Sequence, residues 1–386
     1  MSAACNQSEP DGCSEYTVGD TVTISFMILL LLAIIVGNVL SLVVFLGSKS
    51  FRTPQGYLKA SLALADLSVG VLVVPYSVYT EIILAVGGSP GGISQPEDPM
   101  LLFQPCLLMG PVFAGCTFVS ISTIFLLSIE RSIAVLKPLH KKLFITKRRT
   151  WALIALSWGL SFFLAVIPMV FRDSIALQYS PCSKMCTYTF TSQPQPSSRK
   201  IMLLFPAFDF SLLGGTVAIN ILTFSAIRQY CKVRKLLAES EHPAQSTTAQ
   251  QHFSCPDIPA AKTIGIVTIA FFASFGPIAV LVVGNVLGYQ WCKFSYYAFW
   301  ILTSNSCWNF IIYSVRDRRF RLRVQELFTS LVLKPTNHRE NSARESISVR
   351  QGGLCELVLK EVPIPNHTEN GQDVLPECSV KIAPLK

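Results

Sequence analysis

The sequence predicts an all-α membrane protein, a bundle of seven transmembrane helices with an amphipathic eighth helix on the inner leaflet. The chain has 386 residues, of which 51% are hydrophobic and only 14% charged, which is too apolar for an ordinary soluble domain. It contains seven mostly apolar runs of the roughly 20 residues that a helix needs to cross a bilayer. Basic residues gather in alternate loops between these runs, as in multi-pass membrane proteins.

The seven runs must be helical, because lipid offers no partner for an unpaired backbone group. They lie near residues 22–47, 57–86, 103–136, 150–171, 201–228, 260–287 and 294–315. The seventh is the least apolar, since it contains the polar residues Thr303, Ser304, Asn305, Ser306 and Asn309. Such a span would face lipid poorly and must pack against other helices. We therefore expect residues 22–315 to form one bundle.

Charge placement predicts the orientation of the bundle. Lys and Arg are frequent after the first, third, fifth and seventh runs, whereas the first twenty residues contain neither. Residues 1–21 are therefore expected to be extracellular and the chain to be a multi-pass plasma membrane protein. Cytoplasmic loops then explain the net charge of +9, and no nucleic acid partner is expected. The polar, acidic N-terminus predicts no cleaved signal sequence, and Asn6 is expected to carry a glycan.

The chain after the seventh run divides into two segments. Residues 316–333 alternate basic and apolar side chains at helical spacing, which predicts an amphipathic helix in contact with membrane lipids. Residues 334–386 are polar, with serines beside arginines, and are expected to form a disordered, phosphorylatable cytoplasmic tail.

Six cysteines map to the predicted outer face, where disulfides persist. They are Cys5, Cys13, Cys106, Cys182, Cys186 and Cys292. Six cysteines allow fifteen pairings in principle. We expect Cys106, at the outer end of the third helix, to pair with Cys186 or Cys182 in the loop after the fourth.

Short motifs occur in a fixed order on the predicted helices. They are Gly37-Asn38-Val39, Leu62-Ala63-Leu64-Ala65-Asp66, Glu130-Arg131-Ser132, Trp158 with Pro168, Phe271 with Phe275-Gly276-Pro277, and Asn309-Phe310-Ile311-Ile312-Tyr313 followed by Phe320. Together they resemble the rhodopsin-like (class A) G protein-coupled receptors, nearest the trace-amine and aminergic branch or an orphan relative of it. Phe275, Phe310 and Ser132 depart from that pattern, since Trp, Pro and Tyr are usual there.

The resemblance implies a receptor that carries an extracellular signal to a heterotrimeric G protein and catalyses no reaction. It implies further partners, arrestin and receptor kinases, which would act through the tail. A membrane transporter is an alternative, but no inverted repeat or pair of half-helices is visible in the sequence.

Asp66 lies in mid-membrane, where an ionised carboxylate costs at least ~2.5 kcal/mol unless it is paired. Polar side chains expected at a similar depth are Asn38, Ser120, Asn305, Ser306 and Asn309. An oxygen-rich cluster of this kind suits a small hard cation, and the resemblance implies a sodium ion that favours the inactive state. The alternative is a protonated aspartate in a structural hydrogen-bond network.

Arg131 stands where the third helix meets the cytoplasm, and its burial there requires a partner. Glu130 is the expected partner, while Asp257 is either a second one or the N-cap of the sixth helix. Pro277 should kink the sixth helix and provide a hinge. The resemblance implies that Arg131 is held at rest and released toward the G protein when this helix swings. The expected switch residues are Glu130, Arg131, Phe271, Phe275, Pro277 and Tyr313.

The ligand is expected to be a small amine. Phe113 stands where aminergic receptors carry an aspartate, but Trp300 matches an aromatic of that branch, and Asp209 is expected to face the pocket from the fifth helix. Asp209 could equally pair with Arg199, Lys200 or water. The expected pocket residues are Asp209, Phe113, Thr117, Ile278, Val282, Phe299, Trp300 and Glu81, with Phe118 and Phe205. Because most of these are apolar, a hydrophobic or lipid-like ligand and signalling without any ligand stay open.

Overall fold

The computed structural model describes residues 18–86, 105–137, 145–171, 174–190, 200–241 and 257–332. The predicted glycan at Asn6, the residues Cys5, Cys13 and Arg199, and the tail 334–386 lie outside these ranges.

The described residues form eight helices. They are α1 (Val18–Gly47), α2 (Pro54–Ala85), α3 (Cys106–Leu136), α4 (Lys147–Val166), α5 (Leu204–Glu241), α6 (Asp257–Val286), α7 (Cys292–Arg316) and α8 (Arg318–Val332). Among them, α1 to α6 are each long and apolar enough to cross a membrane. The structure confirms the seven-helix bundle with an eighth helix, and the seventh helix is less apolar, as the sequence predicted.

The order of packing follows the chain. In the described ranges, successive helices from α1 to α7 pack on one another, except that α4 packs on α2 and α3 and α5 packs on α3, and α7 returns to α1 and α2. Helix α3 lies at the centre, because it contacts α2, α4, α5 and α6. Large apolar side chains such as Leu29, Leu156 and Ile269 stay exposed on the outside of the bundle. This is the surface expected to face lipid, whereas polar residues such as Asn38, Asp66 and Asn309 are buried inside the bundle among apolar side chains.

Helix α2 is interrupted by a π turn over Val69–Val73, which begins three residues after Asp66. Gly70 lies in this turn, and a Cβ there would come within 2.6 Å of the Ile34 side chain in α1. The glycine thus permits close packing of α1 and α2. A π turn changes the face that the following residues present, so the outer half of α2 is rotated relative to its inner half.

A β-hairpin that was not predicted from the sequence follows α4. Strands β1 (Ile175–Ser180) and β2 (Met185–Phe190) pair antiparallel, with Ser180 opposite Met185 at the turn. Strand β1 rests on α3 where a Cβ at Gly110 would lie 2.5 Å from the end of the Leu177 side chain, so a larger residue there would have to displace Leu177. We call the end of the bundle that carries this hairpin the hairpin end. The opposite end, with Arg131 and α8, is the arginine end.

Two disulfides fix the hairpin. Cys106 pairs with Cys186, one of the two expected partners. The alternative partner, Cys182, is instead bonded to Cys292 at the first residue of α7. The turn between the strands is therefore tied to both α3 and α7.

Candidate functional site

A cavity of about 700 Å³ opens at the hairpin end between α3, α5, α6, α7 and the hairpin. Its volume is typical of a site for a small molecule. Most of the predicted pocket residues line it, namely Asp209, Phe113, Thr117, Ile278, Val282 and Phe299, with Phe118 and Phe205. Sequence reasoning missed the contribution of the hairpin, which supplies Thr187, Tyr188 and Thr189 to the same wall.

Among the described residues that line this cavity, Asp209 is the one acidic residue, and none is Lys, Arg or His. Asp209 is 8% exposed, and its Oδ1 atom has no hydrogen-bond partner among the described residues. Lys200, one expected partner, is exposed and makes no ion pair with Asp209 in the part of the chain that the structure describes. An unpaired buried carboxylate is costly, so a cationic group entering this cavity would remove that cost.

Two aromatic residues, Phe118 and Phe205, line the cavity together with Asp209. Phe118 of α3 packs edge-on against Phe205 and Phe208 of α5, with ring centroids 5.1 and 5.3 Å apart. Phe205 precedes Asp209 by one helical turn, and Phe208 is its immediate neighbour. Aromatic faces attract cations, so rings and carboxylate favour the same kind of ligand group.

Trp300 does not line the cavity, and the prediction that it does is wrong. Its ring is buried between Phe26 and Tyr296, and its indole N–H donates to the carbonyl of Ser183 at 3.1 Å. Ser183 belongs to the hairpin turn. The turn thus occupies the space beside α7 that the sequence assigned to a ligand.

Glu81 does not line the cavity either, which corrects the second such prediction. It lies in the outer half of α2, where its carboxylate accepts hydrogen bonds from the Tyr179 hydroxyl at 2.6 Å and from the Lys184 ammonium at 2.5 Å. Burial, reinforced by the hydrogen bond to Glu81, raises the pKa of Tyr179 above its usual value, so this hydroxyl stays protonated and keeps donating. Both partners come from the hairpin.

The hairpin turn reaches into the bundle. Ser183 and Met185 are fully buried, and the Thr303 hydroxyl of α7 lies 3.7 Å from the Met185 sulfur. The side of the bundle between α2 and α7 is therefore filled by the chain itself. The space that stays open to a ligand lies between α3, α5 and α6, on the side of Asp209.

Below this cavity, Asp66 lies in a polar cluster. It accepts hydrogen bonds from the Ser120 hydroxyl at 3.2 Å and the Asn309 amide at 2.9 Å. A small cavity of roughly 10 Å³, enough for about one water-sized sphere, is lined by Asp66, Ser120, Asn305 and Ser306. Asn38 does not bond to Asp66 and instead donates to the carbonyls of Ile34 and Ser306.

The donor set of this cluster fits a hard cation. Besides the Asp66 carboxylate and the Ser120 hydroxyl, the amide oxygens of Asn305 and Asn309 are buried without a hydrogen-bond partner among the described residues. Oxygen atoms of this type are the ligands that small hard cations prefer. A protonated aspartate has a single O–H to donate, so it could satisfy one of these two amide oxygens and would leave the other without a partner.

At the arginine end, Arg131 is held by two side chains. Its Nη2 donates to the Gln55 side-chain oxygen at 2.6 Å, and its Nε lies 3.8 Å from the Glu130 carboxylate. Glu130 was expected from the sequence, whereas Gln55, at the second residue of α2, was not. The side chain of Asp257, the other expected partner, lies outside the described residues.

The remaining switch residues connect the cavity to this end. Phe271 and Phe275 are buried in α6 and stack on one another with ring centroids 5.7 Å apart. Pro277 lies inside α6 and is followed directly by Ile278, which lines the cavity. Tyr313 is buried near the end of α7 against Phe45. Pro277 thus lies between the ligand cavity and the stacked rings, where a hinge would couple them.

The chain matches known receptors along most of its length. The sequence profile of the family described as 7 transmembrane receptor (rhodopsin family) matches residues 37–313. Adenosine receptor A3 of Bos taurus is 25% identical over 313 residues, 81% of this chain and 91% of that receptor. Melatonin receptor type 1C of Xenopus laevis is 24% identical over 383 residues, which cover 96% of this chain and 81% of that receptor. Muscarinic acetylcholine receptor M3 of Gorilla gorilla gorilla is 27% identical over 198 residues, which cover 50% of this chain and 31% of that receptor.

These likenesses agree with the geometry of the bundle. The ligand-sized cavity, the Asp66 cluster and the clamped arginine lie at three successive depths of one helical package. The relatives are named for different ligands, so they do not select the aminergic branch. The chain belongs to the rhodopsin family of seven-transmembrane receptors, and it is accordingly a multi-pass plasma membrane receptor that couples to G proteins and is not an enzyme.

Proposed function

We propose that this receptor is activated by a small amine that enters the cavity at the hairpin end and pairs its ammonium group with Asp209. The observation that carries the proposal is the buried, unpaired Oδ1 of Asp209 in a cavity whose described lining contains no cation. A charge-assisted hydrogen bond in this setting contributes about 1.5–3 kcal/mol. The apolar remainder of the wall suits the carbon skeleton of an aromatic amine.

We further propose that the hairpin end faces the outside of the cell, with the N-terminus extracellular and a glycan at Asn6. The support is the excess of Lys and Arg in the segments at the arginine end and the two disulfides at the hairpin end. In this orientation the arginine end meets the G protein, α8 lies against membrane lipids, and the tail is open to receptor kinases and arrestin.

Sodium is the proposed ion of the Asp66 cluster. Asp66, Ser120, Asn305, Ser306 and Asn309 would hold it, and bound there it would supply a positive charge that keeps the Asp66 carboxylate ionised. Asn38 would not contact the ion in this proposal. Its side-chain amide donates to the backbone carbonyl of Ser306 and so positions that residue. An ion in this place supports the resting arrangement in which Asp66 and Asn309 stay bonded.

A second candidate ligand is a hydrophobic, lipid-like molecule. It is favoured by the aromatic pair Phe113 and Phe299, whose ring centroids lie 6.0 Å apart on the cavity wall. Such a ligand would gain its affinity from apolar burial and would not need Asp209.

Replacing Asp209 by Asn is expected to lower the potency of an activating amine about 10- to 100-fold, because the charge is lost while the shape is kept. The measurement is second-messenger output in cells expressing equal surface amounts of receptor, for a panel of aromatic amines and their uncharged isosteres. Asn285→Ala, which changes a neutral polar residue of the same wall, is the matched control and should shift potency much less.

Each result of this panel separates the candidates. Equal potency of an amine on the wild type and on Asp209→Asn would reject the amine proposal. Activation by uncharged hydrophobic compounds, unchanged by Asp209→Asn, would support the second candidate. A high signal without any compound, insensitive to Asp209→Asn, would indicate a receptor that needs no ligand.

A further inference from the structure

A lysine lies in the inner half of a transmembrane helix, where cations are costly. Lys59 belongs to α2, and its side chain is only 14% exposed. A buried ammonium loses its hydration and persists only when other groups replace that stabilisation. The site described above makes no use of Lys59, so its partners indicate what it does.

Three groups replace that hydration. The ammonium nitrogen of Lys59 lies 3.8 Å from the Asp317 carboxylate, 4.5 Å from the centre of the Tyr313 ring and 5.5 Å from the centre of the Phe45 ring. One contact is an ion pair and the other two are cation–π contacts, which add to it in a partly dehydrated place. Glu130 and Arg131 lie within electrostatic range and act on Lys59 with opposite signs.

Asp317 lies at the junction between α7 and α8. Its Oδ1 atom accepts hydrogen bonds from the backbone N–H groups of Arg319 at 3.0 Å and Phe320 at 3.2 Å, so it caps α8. Its Oδ2 atom is the one directed at Lys59. Through this single carboxylate, Lys59 of α2 is connected to the first turn of α8.

Lys59 follows Gln55 by four residues, so the two side chains lie on the same face of α2. Gln55 holds Arg131 of α3, and Lys59 holds Tyr313 of α7 and the start of α8. One face of α2 therefore contacts the arginine and the tyrosine of the predicted G-protein switch at the same time. Gln55 thereby restrains Arg131, and Lys59 restrains Tyr313, for as long as each contact persists.

We infer that Lys59 is a positioning residue that holds Tyr313 and the first turn of α8 against α2 and so restrains signalling in the absence of ligand. The inference rests on coupling to G proteins and is independent of the nature of the ligand.

Replacing Lys59 by Met keeps most of the side-chain volume and removes the charge. Ligand-independent nucleotide exchange on the coupled G protein is expected to rise about three- to tenfold per receptor at the cell surface, because an ion pair and two cation–π contacts are lost. Lys59→Arg keeps the charge and should stay within about twofold of the wild type. A purely structural role would lower surface expression in Lys59→Met without raising the signal per receptor.

Asp317→Asn provides an independent variant, since an amide oxygen can still cap α8 while the charge facing Lys59 is lost. It should raise ligand-independent exchange in the same direction as Lys59→Met, and it carries the test if Lys59→Met does not reach the surface. Arg323→Met, which breaks the exposed pair of Arg323 with Glu326 on α8, is the control and should leave the signal unchanged. Unchanged or lower exchange in Asp317→Asn, or equal gains in Lys59→Arg and Lys59→Met, would overturn the inference.

Discussion

Replacing Asp66 by Asn is expected to abolish the dependence of the receptor on sodium. The variant keeps a side chain that can bond to Ser120 and Asn309 but removes the negative charge that a cation needs. An ion that binds only the folded receptor stabilises it by about 1.4 kcal/mol when present at ten times its Kd. The wild-type receptor should therefore melt at a higher temperature in sodium chloride than in potassium chloride, and Asp66→Asn should melt at the same temperature in both.

Glu81→Gln is the matched control for this experiment, because Glu81 is a second buried carboxylate of α2 whose partners are Tyr179 and Lys184. It should lose stability in both salts and keep the difference between them. Equal melting of the wild type in the two salts would contradict the sodium site and favour the protonated-aspartate network. Persistence of the sodium effect in Asp66→Asn would place the ion elsewhere.

Removing the disulfide between Cys106 and Cys186 should reduce the amount of receptor at the cell surface to roughly a tenth of the wild-type amount or less. The bond closes a loop over a sequence separation of 80 residues, and a crosslink of that span stabilises the folded state by about 4.5 kcal/mol. This is a large part of the ~5–15 kcal/mol that keeps a typical domain folded. The measurement is antibody labelling of intact cells expressing Cys106→Ser with Cys186→Ser.

Cys307→Ser is the control for the disulfide variant, because Cys307 is buried in α7 and forms no disulfide. It should reach the surface nearly as well as the wild type. The variant Cys182→Ser with Cys292→Ser tests whether the second bridge matters equally. Normal surface amounts of the Cys106 variant would mean that the contacts of the hairpin with α2 and α7 hold it without the covalent bond.

The sequence was sufficient for the bundle because each span is encoded locally, by about 20 apolar residues and by the charges that flank them. Even the weak seventh span could be recognised, since its polar residues made sense only inside a bundle. The depth of a residue along its own helix was equally predictable. Asp66, Ser120 and Asn309 meet for this reason, and most of the predicted pocket residues do line the cavity.

Contacts between distant segments were not predictable in the same way. Glu81 and Trp300 were assigned to the ligand, but Lys184 and Ser183 of the hairpin reach them across more than 100 positions of the chain. The hairpin was not predicted because the β-branched and aromatic run Thr187–Phe190 is followed at 192–198 by residues rich in Ser and Pro, which are typical of a loop. Its signal was the alternation of Thr with Tyr and Phe, which is typical of a strand.

The two side chains of α2 that hold the arginine end show the same limit. Gln55 is an ordinary polar residue at a helix start, and nothing in its neighbourhood marks Arg131 as its partner. Lys59 offered a clearer signal, because a lysine seven residues before a mid-membrane aspartate has to be paired. That signal predicts a partner without saying which one, and only packing of α7 and α8 supplies Asp317 and Tyr313.

The most direct test of the receptor's central activity is nucleotide exchange on purified heterotrimeric G proteins, measured with and without the receptor in lipid nanodiscs. The proposed hinge at Pro277 couples the cavity at one end to Arg131 at the other, so the wild-type receptor should accelerate exchange on at least one member of a G-protein panel, and more strongly with an activating amine. Arg131→Ala should reduce that acceleration to the rate of empty nanodiscs. An Arg131→Ala receptor that drives exchange as fast as the wild type would contradict the role assigned to the arginine end.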